Sequence, residues 1–164
     1  GMPRSGSTLL ESILSLNEEV FDLGETEILP DILKDFDPIK DQNPYEEYIR
    51  QIRKLAPKAK IFTDKNLFNY MFCPVINNYF GNSKIILCLR NPLDNILSIY
   101  RENFIKIPFS TSIKEITQMY LHHYDLMKFY SKTYTKNLFV YNYDDVVVNP
   151  SSEIKKIIDW LGWE

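Results

Sequence analysis

The sequence predicts an α/β fold in which a parallel sheet is flanked by helices. Strand-like and helix-like segments alternate along the 164 residues, without repeats or low-complexity tracts. The apolar run 84–89 is typical of a strand buried on both faces, as parallel strands are. The length fits one domain, which we expect to span residues 1–164.

The elements follow from hydrophobic periodicity and from capping signals. Apolar residues recur at helical spacing after Ser7, before Pro57 and after Asn149-Pro150, whereas the strand-like runs are short and end at polar residues. The predicted strands are 20–23, 60–63, 84–89 and 138–141. The predicted helices begin at about Ser7 and at Pro92, cover 45–55, 68–80 and 113–132, and extend from 149–150 to Leu161.

The helix after run 84–89 has the clearest start. Asn91 is predicted to cap it, with Pro92 at its first position and Asp94 in its first turn. Its spacing predicts a core stripe made of Leu93, Ile96, Leu97 and Tyr100.

Composition excludes some classes of partner. The net charge is only −3 and no broad basic patch is present, so neither a nucleic acid nor an anionic membrane is expected as a partner.

Cys73 and Cys88 lie in apolar surroundings without CxxC spacing, which predicts reduced core thiols. No apolar run approaches the about 20 residues that span a bilayer. We therefore expect a soluble, cytoplasmic protein.

The first eight residues, GMPRSGST, predict a phosphate-cradling loop that leads into a helix. Gly1 and Gly6 have P-loop spacing, and the free N–H groups of the helix that follows favour an anion. Ser7 replaces the lysine that an NTPase places on its phosphates, which leaves Arg4 as the cation of the loop. The loop therefore suits a phosphate or sulfate group better than Mg-ATP. A disordered tail of small residues is the alternative.

The residues that follow the predicted strands are the other candidates for function. In open α/β sheets, ligands bind beyond the carboxyl ends of the strands. Glu25, Lys65 and Arg90 occupy such positions, and Arg4 lies in the loop. Three cations and one carboxylate predict a site for a polyanionic ligand beside a single general base.

Five segments together resemble the sulfotransferases that use 3′-phosphoadenosine 5′-phosphosulfate. They are PRSGST, LGET, TDKNLFNY, LRNPLDNILSIY and VYNYDDVVVNPSSEIKKIIDWLGW, in the family's order and spacing. The similarity covers nearly the whole chain and is closest to the branch of tyrosylprotein sulfotransferases and their bacterial relatives. It implies a P-loop-containing nucleotide-binding fold, a transferase activity, and adenosine 3′,5′-bisphosphate as the product, without a metal.

The resemblance also implies how the donor is held. The loop would bind the 5′-phosphosulfate, with Arg4 near the transferring group. Arg90 and Ser98 match the pair that binds the 3′-phosphate, and Tyr143 matches a tyrosine that lines the nucleotide site. The implied loop residues are Arg4, Ser5, Gly6, Ser7 and Thr8.

The same resemblance assigns two residues to the chemistry. Lys65 would stabilise negative charge on the bridging oxygen. Glu25 would be the base that takes the proton from an acceptor hydroxyl. A one-residue gap is needed to align this segment, so Glu27 stays open as the base, and either carboxylate could instead cap the following helix.

The chain departs from the family at both ends. We expect the domain to lack the usual first strand, which precedes the loop in the family, and to stop at Trp163 before a segment that closes over the nucleotide. A non-catalytic remnant of the fold is therefore an alternative, and a P-loop kinase with Asp64 as a magnesium ligand is a less favoured one. An unpaired sheet edge would favour a homodimer.

The acceptor stays open among a protein tyrosine, a sugar and a small alcohol, because substrate pockets are built from variable segments. Residues 28–56 and 104–125 are the expected walls of its pocket.

Overall fold

The computed structural model describes residues 1–39, 43–102 and 104–163. The chain divides into two compact units. Unit 1 consists of Gly1–Gly6 together with Lys84–Glu164, and unit 2 consists of Ser7–Ser83. The expectation of a single domain stays a prediction.

Unit 2 is built around two parallel strands, β1 (Val20–Asp22) and β2 (Ile61–Thr63). Asp22 lies opposite Thr63, so the residues that follow the two strands leave the same edge of the sheet. Its helices are α1 (Ser7–Leu14), α2 (Ile28–Leu33), α3 (Pro44–Leu55) and α4 (Cys73–Tyr79), with a 3-10 helix over Leu67–Phe72. Its core includes Leu29, Tyr48, Ile52 and Phe80.

Unit 1 contains a second parallel pair, β3 (Ile85–Leu89) and β4 (Leu138–Asn142), with Leu89 opposite Asn142. Its helices are α5 (Pro92–Glu102), α6 (Ile113–Thr133), α7 (Tyr143–Val148) and α8 (Pro150–Leu161), with a 3-10 helix over Pro108–Thr111. One of its core clusters consists of Met2, Ile99, Ile116 and Tyr120.

The strands confirm the α/β prediction. All four predicted strands are present to within one residue, and their pairing is parallel, in two two-stranded sheets. The predicted helix over 68–80 begins instead as a 3-10 helix, and α4 starts only at Cys73. Pro74 occupies the first turn of α4, where its missing N–H costs nothing.

Most of the residues that were predicted to form the core stripe of α5 are not buried. Leu93, Leu97 and Tyr100 are exposed, whereas the buried residues of this helix are Asn95 and Ile99. The cap is as predicted, because the Asn91 side chain accepts hydrogen bonds from the backbone of residues 93 and 94. The helix therefore turns Asn95, a polar residue, toward the core.

Candidate functional site

The loop that begins unit 1 has a strained backbone. Gly6 has a φ of 89° and Arg4 has a φ of 64°. Glycine adopts such angles freely, but for Arg4 the left-handed region costs about 1–2 kcal/mol. Strain of this kind persists where the surroundings enforce it, and it concentrates at functional sites.

Two side chains enforce the conformation of this loop. The amide Nδ2 of Asn95 donates a hydrogen bond to the carbonyl oxygen of Pro3 at 2.8 Å. The guanidinium Nη1 of Arg90 donates to the carbonyl oxygen of Arg4 at 3.1 Å. Asn95 is fully buried, and its hydrogen bond to Pro3 explains why α5 turns this polar residue inward. Two carbonyls of the loop are therefore each held by a side chain from α5 or from the residue after β3.

The ring of Tyr143 packs directly against the loop. A Cβ atom built on Gly6 would lie 2.3 Å from Cδ2 of this ring. The guanidinium carbon of Arg90 lies 4.8 Å from the ring centroid, which is a cation–π distance. Arg90 follows β3 and Tyr143 follows β4, so the parallel pairing explains their contact.

The side chain of Arg4 extends toward α5. Its Nε donates to the hydroxyl of Ser98 at 3.2 Å, and its Nη1 lies 3.9 Å from Oε2 of Glu102. Arg4 and Glu102 are both about half exposed, so this ion pair contributes little to stability. The structure thus brings four predicted residues of unit 1, Arg4, Arg90, Ser98 and Tyr143, into one group of contacts.

Two buried polar atoms of this group suit an anion. Nε of Arg90 and Oγ of Ser5 are buried, and neither has a hydrogen-bond partner in the part of the chain that the structure describes. Buried donors of this kind are ordinarily paired. Two guanidinium groups, a hydroxyl and a rigid loop therefore offer donors to a phosphate or sulfate group.

Three residues that the sequence did not single out support Arg90 and the loop. Tyr120 donates its hydroxyl to the carbonyl oxygen of Arg90 at 2.9 Å. Asp144 accepts from the backbone N–H of Asn91 at 2.6 Å, which ties the first turn of α7 to the residues that follow β3. Asn95 is the third. A polar residue at a core position of α5 is the sequence signal that could have identified it.

The predicted residues of unit 2 form a second group. Nζ of Lys65 lies 2.6 Å from Oε1 of Glu25. The lysine side chain is only 15% exposed, whereas the glutamate is 55% exposed. Lys65 is therefore not the ordinary surface lysine that its position at a strand end would also allow.

Two hydrogen bonds fix the turn that carries Glu25. The backbone N–H of Lys65 donates to the carbonyl oxygen of Gly24 at 2.9 Å. The side-chain amide of Asn66 donates to the carbonyl oxygen of Thr26, also at 2.9 Å. Residues 24 and 26 flank Glu25, so both sides of the glutamate are attached to the segment that carries Lys65.

Glu27 has a different environment. Its Oε1 accepts from Nδ2 of Asn66 at 3.2 Å. It precedes α2 but makes no side-chain capping bond there. The two carboxylates that the sequence left as alternatives therefore differ, because Glu25 contacts an ammonium group and Glu27 contacts an amide.

Asp64 connects four parts of unit 2. It accepts hydrogen bonds from the Tyr48 hydroxyl and the Asn69 amide, each at 2.7 Å, and weaker ones from the Asn66 backbone at 3.3 Å and the Thr26 hydroxyl at 3.4 Å. Burial, reinforced by the charge of Asp64, raises the pKa of Tyr48 far above its ordinary value. The Tyr48 hydroxyl therefore stays a donor at any working pH.

Ser7 and Thr8 are the first two residues of α1, directly after Gly6. Thr8 is exposed, and its carbonyl oxygen accepts from the hydroxyl of Ser12 at 2.9 Å. The chain thus passes from unit 1 to unit 2 inside the predicted loop motif.

A cleft of about 630 Å³ lies between α2 and α3, and Asp31, Phe36, Glu46 and Arg50 are among its lining residues. It falls in the segment 28–56 that was predicted to border the acceptor pocket. Residues 40–42 of that segment lie outside the described residues.

Among the described residues, no three His, Cys, Asp or Glu side chains are grouped so that they could hold a metal ion. No helix in the same ranges combines the length and the apolar character needed to cross a membrane.

Comparison with known proteins identifies relatives. A sequence model described as "Sulfotransferase family" matches residues 1–50 and 40–164. A protein of Aquifex aeolicus (strain VF5) that is described as uncharacterized is 26% identical over 191 aligned positions. That alignment covers 100% of this chain and 25% of the relative, so the chain spans about a quarter of the relative's length.

Proposed function

This chain belongs to the sulfotransferase family, and we propose that it moves a sulfuryl group from 3′-phosphoadenosine 5′-phosphosulfate to an acceptor hydroxyl. The observation that carries the proposal is the group in unit 1, where Arg90 contacts both the Arg4 carbonyl and the Tyr143 ring while the Arg4 side chain contacts Ser98.

This group supports a site for the phosphates of the nucleotide. Arg90 and Ser98 would hold the 3′-phosphate, and Nε of Arg90 makes no hydrogen bond within the described residues. Arg4 lies beside this pair through its contact with Ser98, and its guanidinium would act near the transferring group, as the family resemblance implies. Bonds between such charged groups are worth about 1.5–3 kcal/mol each.

The family resemblance assigns the 5′ end to the loop residues and to Ser7 and Thr8. Ser5 offers a buried hydroxyl, and Gly6 allows the backbone to approach closely. Ser7 and Thr8 offer hydroxyls and the N–H groups of a helix amino end. These P-loop roles rest on the family resemblance. Tyr143 would contribute to the same site through its packing on Gly6.

Glu25 and Lys65 would perform the chemistry. Glu25 takes the proton of the acceptor hydroxyl as its oxygen forms a bond to sulfur, and the S–O bond to the phosphate breaks in line. Adenosine 3′,5′-bisphosphate leaves with the bonding electron pair, and Lys65 stabilises the charge that develops on the bridging oxygen. The donor supplies the sulfuryl group, and no metal enters this scheme.

The surroundings of the two carboxylates favour Glu25 over Glu27 as the base. Glu25 contacts Lys65 at 2.6 Å, so base and electrostatic stabiliser are adjacent. Glu27 accepts a hydrogen bond from Asn66 and contributes to holding the turn. The kinase alternative gains no support, because the oxygens of Asp64 already accept four hydrogen bonds and a carboxylate has about four acceptor sites.

The acceptor would be a molecule that carries a hydroxyl group, and assembly into a homodimer stays a prediction. A protein tyrosine, a sugar and a small alcohol all carry the hydroxyl that Glu25 would deprotonate. The cleft between α2 and α3 is the first place to seek the acceptor, since it lies in the predicted segment 28–56.

Calorimetric titration with adenosine 3′,5′-bisphosphate, without magnesium, tests the proposal. We expect micromolar binding that Arg90→Ala weakens at least about tenfold, as the loss of one charged hydrogen bond predicts. Arg101→Ala is the matched control, because it removes an exposed arginine from the end of α5 and should bind normally.

Two results would contradict the proposal. Absence of binding by the folded protein would favour a non-catalytic remnant of the family. Binding of ATP that requires magnesium, measured in a parallel titration, would favour a kinase.

A further inference from the structure

We propose that Asp64 is the positioning residue that keeps Lys65 and Glu25 together, an inference that rests on the proposed function of this pair. Asp64 directly precedes Lys65 and follows the end of β2. Its carboxylate makes no contact with Glu25, so any effect on the base passes through the turns that it holds.

The hydrogen bonds of Asp64 reach both turns of the pair. It accepts from the backbone N–H of Asn66 at 3.3 Å, on the side of Lys65. It accepts from the hydroxyl of Thr26 at 3.4 Å, on the side of Glu25. Because one carboxylate receives donors from both segments, it fixes the separation of the two turns.

Two stronger bonds fix Asp64 itself. The hydroxyl of Tyr48 on α3 and the side-chain amide of Asn69 in the 3-10 helix each donate to it at 2.7 Å. Tyr48 is only 5% exposed and belongs to the core of unit 2. The carboxylate is thus attached to the packed interior, while its weaker bonds extend to the exposed turn of Glu25.

The turns add their own bonds to this arrangement. Asn66 reaches the Thr26 carbonyl, and the Lys65 backbone reaches the Gly24 carbonyl. Reorientation of Asn66 would release Thr26 and move Glu25 from Lys65. A displacement of about 1 Å in a catalytic group can cost about 100-fold in rate.

Asp64→Asn tests this role, because it keeps the shape but turns one acceptor into a donor. The first readout is limited acetylation of lysines followed by peptide mass spectrometry, which requires no activity. Lys65 should be modified about fivefold faster in Asp64→Asn, as the loss of a partly buried ion pair would allow.

Lys60 is the internal control for this measurement. It pairs with Glu19 at the other end of β2 and lies outside the contacts of Asp64. A local role predicts that its rate is unchanged. Equal acceleration at Lys60 and Lys65 would mean that Asp64 only stabilises unit 2, and no acceleration at Lys65 would overturn the proposal.

The second readout is kinetic and uses the donor with p-nitrophenol, a tyrosyl peptide and a glucoside as acceptors. We expect Asp64→Asn to lower kcat about 10-fold to 100-fold while the affinity for adenosine 3′,5′-bisphosphate is retained. Tyr48→Phe removes one donor from the same carboxylate and should give a smaller loss. An unchanged kcat in Asp64→Asn would overturn the role.

Failure of the proposed function has a different signature. If the wild-type protein neither binds the bisphosphate nor transfers a sulfuryl group, that function fails, while the acetylation of Lys65 still tests the coupling of Asp64 to the pair.

Discussion

Gly6 and Tyr143 are in contact so close that no side chain fits between them. A Cβ atom on Gly6 would lie 2.3 Å from Cδ2 of the ring, and the φ of 89° disfavours any residue with a Cβ. Tyr143, the first residue of α7, therefore restricts position 6 of the loop to glycine.

Gly6→Ala should for this reason disrupt the loop. The left-handed conformation alone costs about 1–2 kcal/mol for a non-glycine residue, and the clash with Tyr143 adds to it. We expect binding of adenosine 3′,5′-bisphosphate to weaken at least about tenfold, measured by calorimetry. Gly81→Ala is the control, because a Cβ there meets nothing within 4 Å. Equal affinity in both variants would contradict this account.

Arg4→Gly should separate stability from binding. Glycine relieves the strain at φ 64°, a gain of up to about 1–2 kcal/mol, and loses only half-exposed contacts worth less than about 1 kcal/mol. We expect urea unfolding to show equal or higher stability, while affinity for the bisphosphate falls at least about tenfold.

Arg101→Gly provides the opposite pattern to Arg4→Gly. It places glycine in α5, where stability falls by about 1 kcal/mol, and it should leave binding intact. A loss of stability in Arg4→Gly would show that the strain is not real.

The residues at the strand ends were predictable because the strands are defined by short stretches of neighbouring residues in the sequence. Short apolar runs ended by polar residues gave β2 and β3, and parallel pairing alone brings the residues after two strands to one edge. Lys65 and Arg90 follow β2 and β3, and their contacts with Glu25 and Tyr143 arise at those edges.

The supporting residues were not predictable in this way. The partner of Asn95, the carbonyl of Pro3, is 92 positions away in the sequence. Asp64 likewise depends on Tyr48 of α3, which is 16 positions away in the sequence. Such tertiary partners decide which face of a helix is buried. Hydrophobic spacing alone therefore predicted the wrong buried face for α5.

Asn95→Ala should loosen the loop. The Pro3 carbonyl loses its donor in a buried position, which costs about 1–3 kcal/mol in unfolding free energy. Because the same carbonyl holds the loop, we expect weaker binding of the bisphosphate as well. Ile99→Val, at the next buried position of α5, should cost about 0.5–1.5 kcal/mol and leave binding unchanged. Parallel losses of affinity in both variants would assign the effect to packing.

His123 should lower the free energy of unfolding of unit 1 at acid pH. Burial lowers its pKa to about 3, whereas the unfolded chain binds this proton near 6.5. Protonation therefore favours the unfolded state as the pH falls from about 6.5 toward 3, at up to about 1.4 kcal/mol per pH unit. We expect urea unfolding at pH 7 and pH 5 to differ less in His123→Gln than in the wild type. The exposed neighbour variant His122→Gln should keep the wild-type difference, and a loss of the difference there would contradict the assignment.

Paired variants of the two neighbouring glutamates should identify the base. Glu25→Gln removes the carboxylate that contacts Lys65, and the loss of a general base lowers kcat about 100-fold to 10,000-fold. Glu27→Gln keeps an oxygen that can accept from Asn66, so we expect kcat within about threefold of the wild type, as for an uncharged hydrogen bond worth under about 1 kcal/mol. Lys65→Ala should cost about 2–4 kcal/mol of transition-state stabilisation.

The measurement is the initial rate of sulfuryl transfer at saturating donor, with bisphosphate affinity as the control for folding. If Glu27→Gln lost the activity and Glu25→Gln kept it, the ammonium beside Glu25 would mark a structural ion pair and the base would be Glu27.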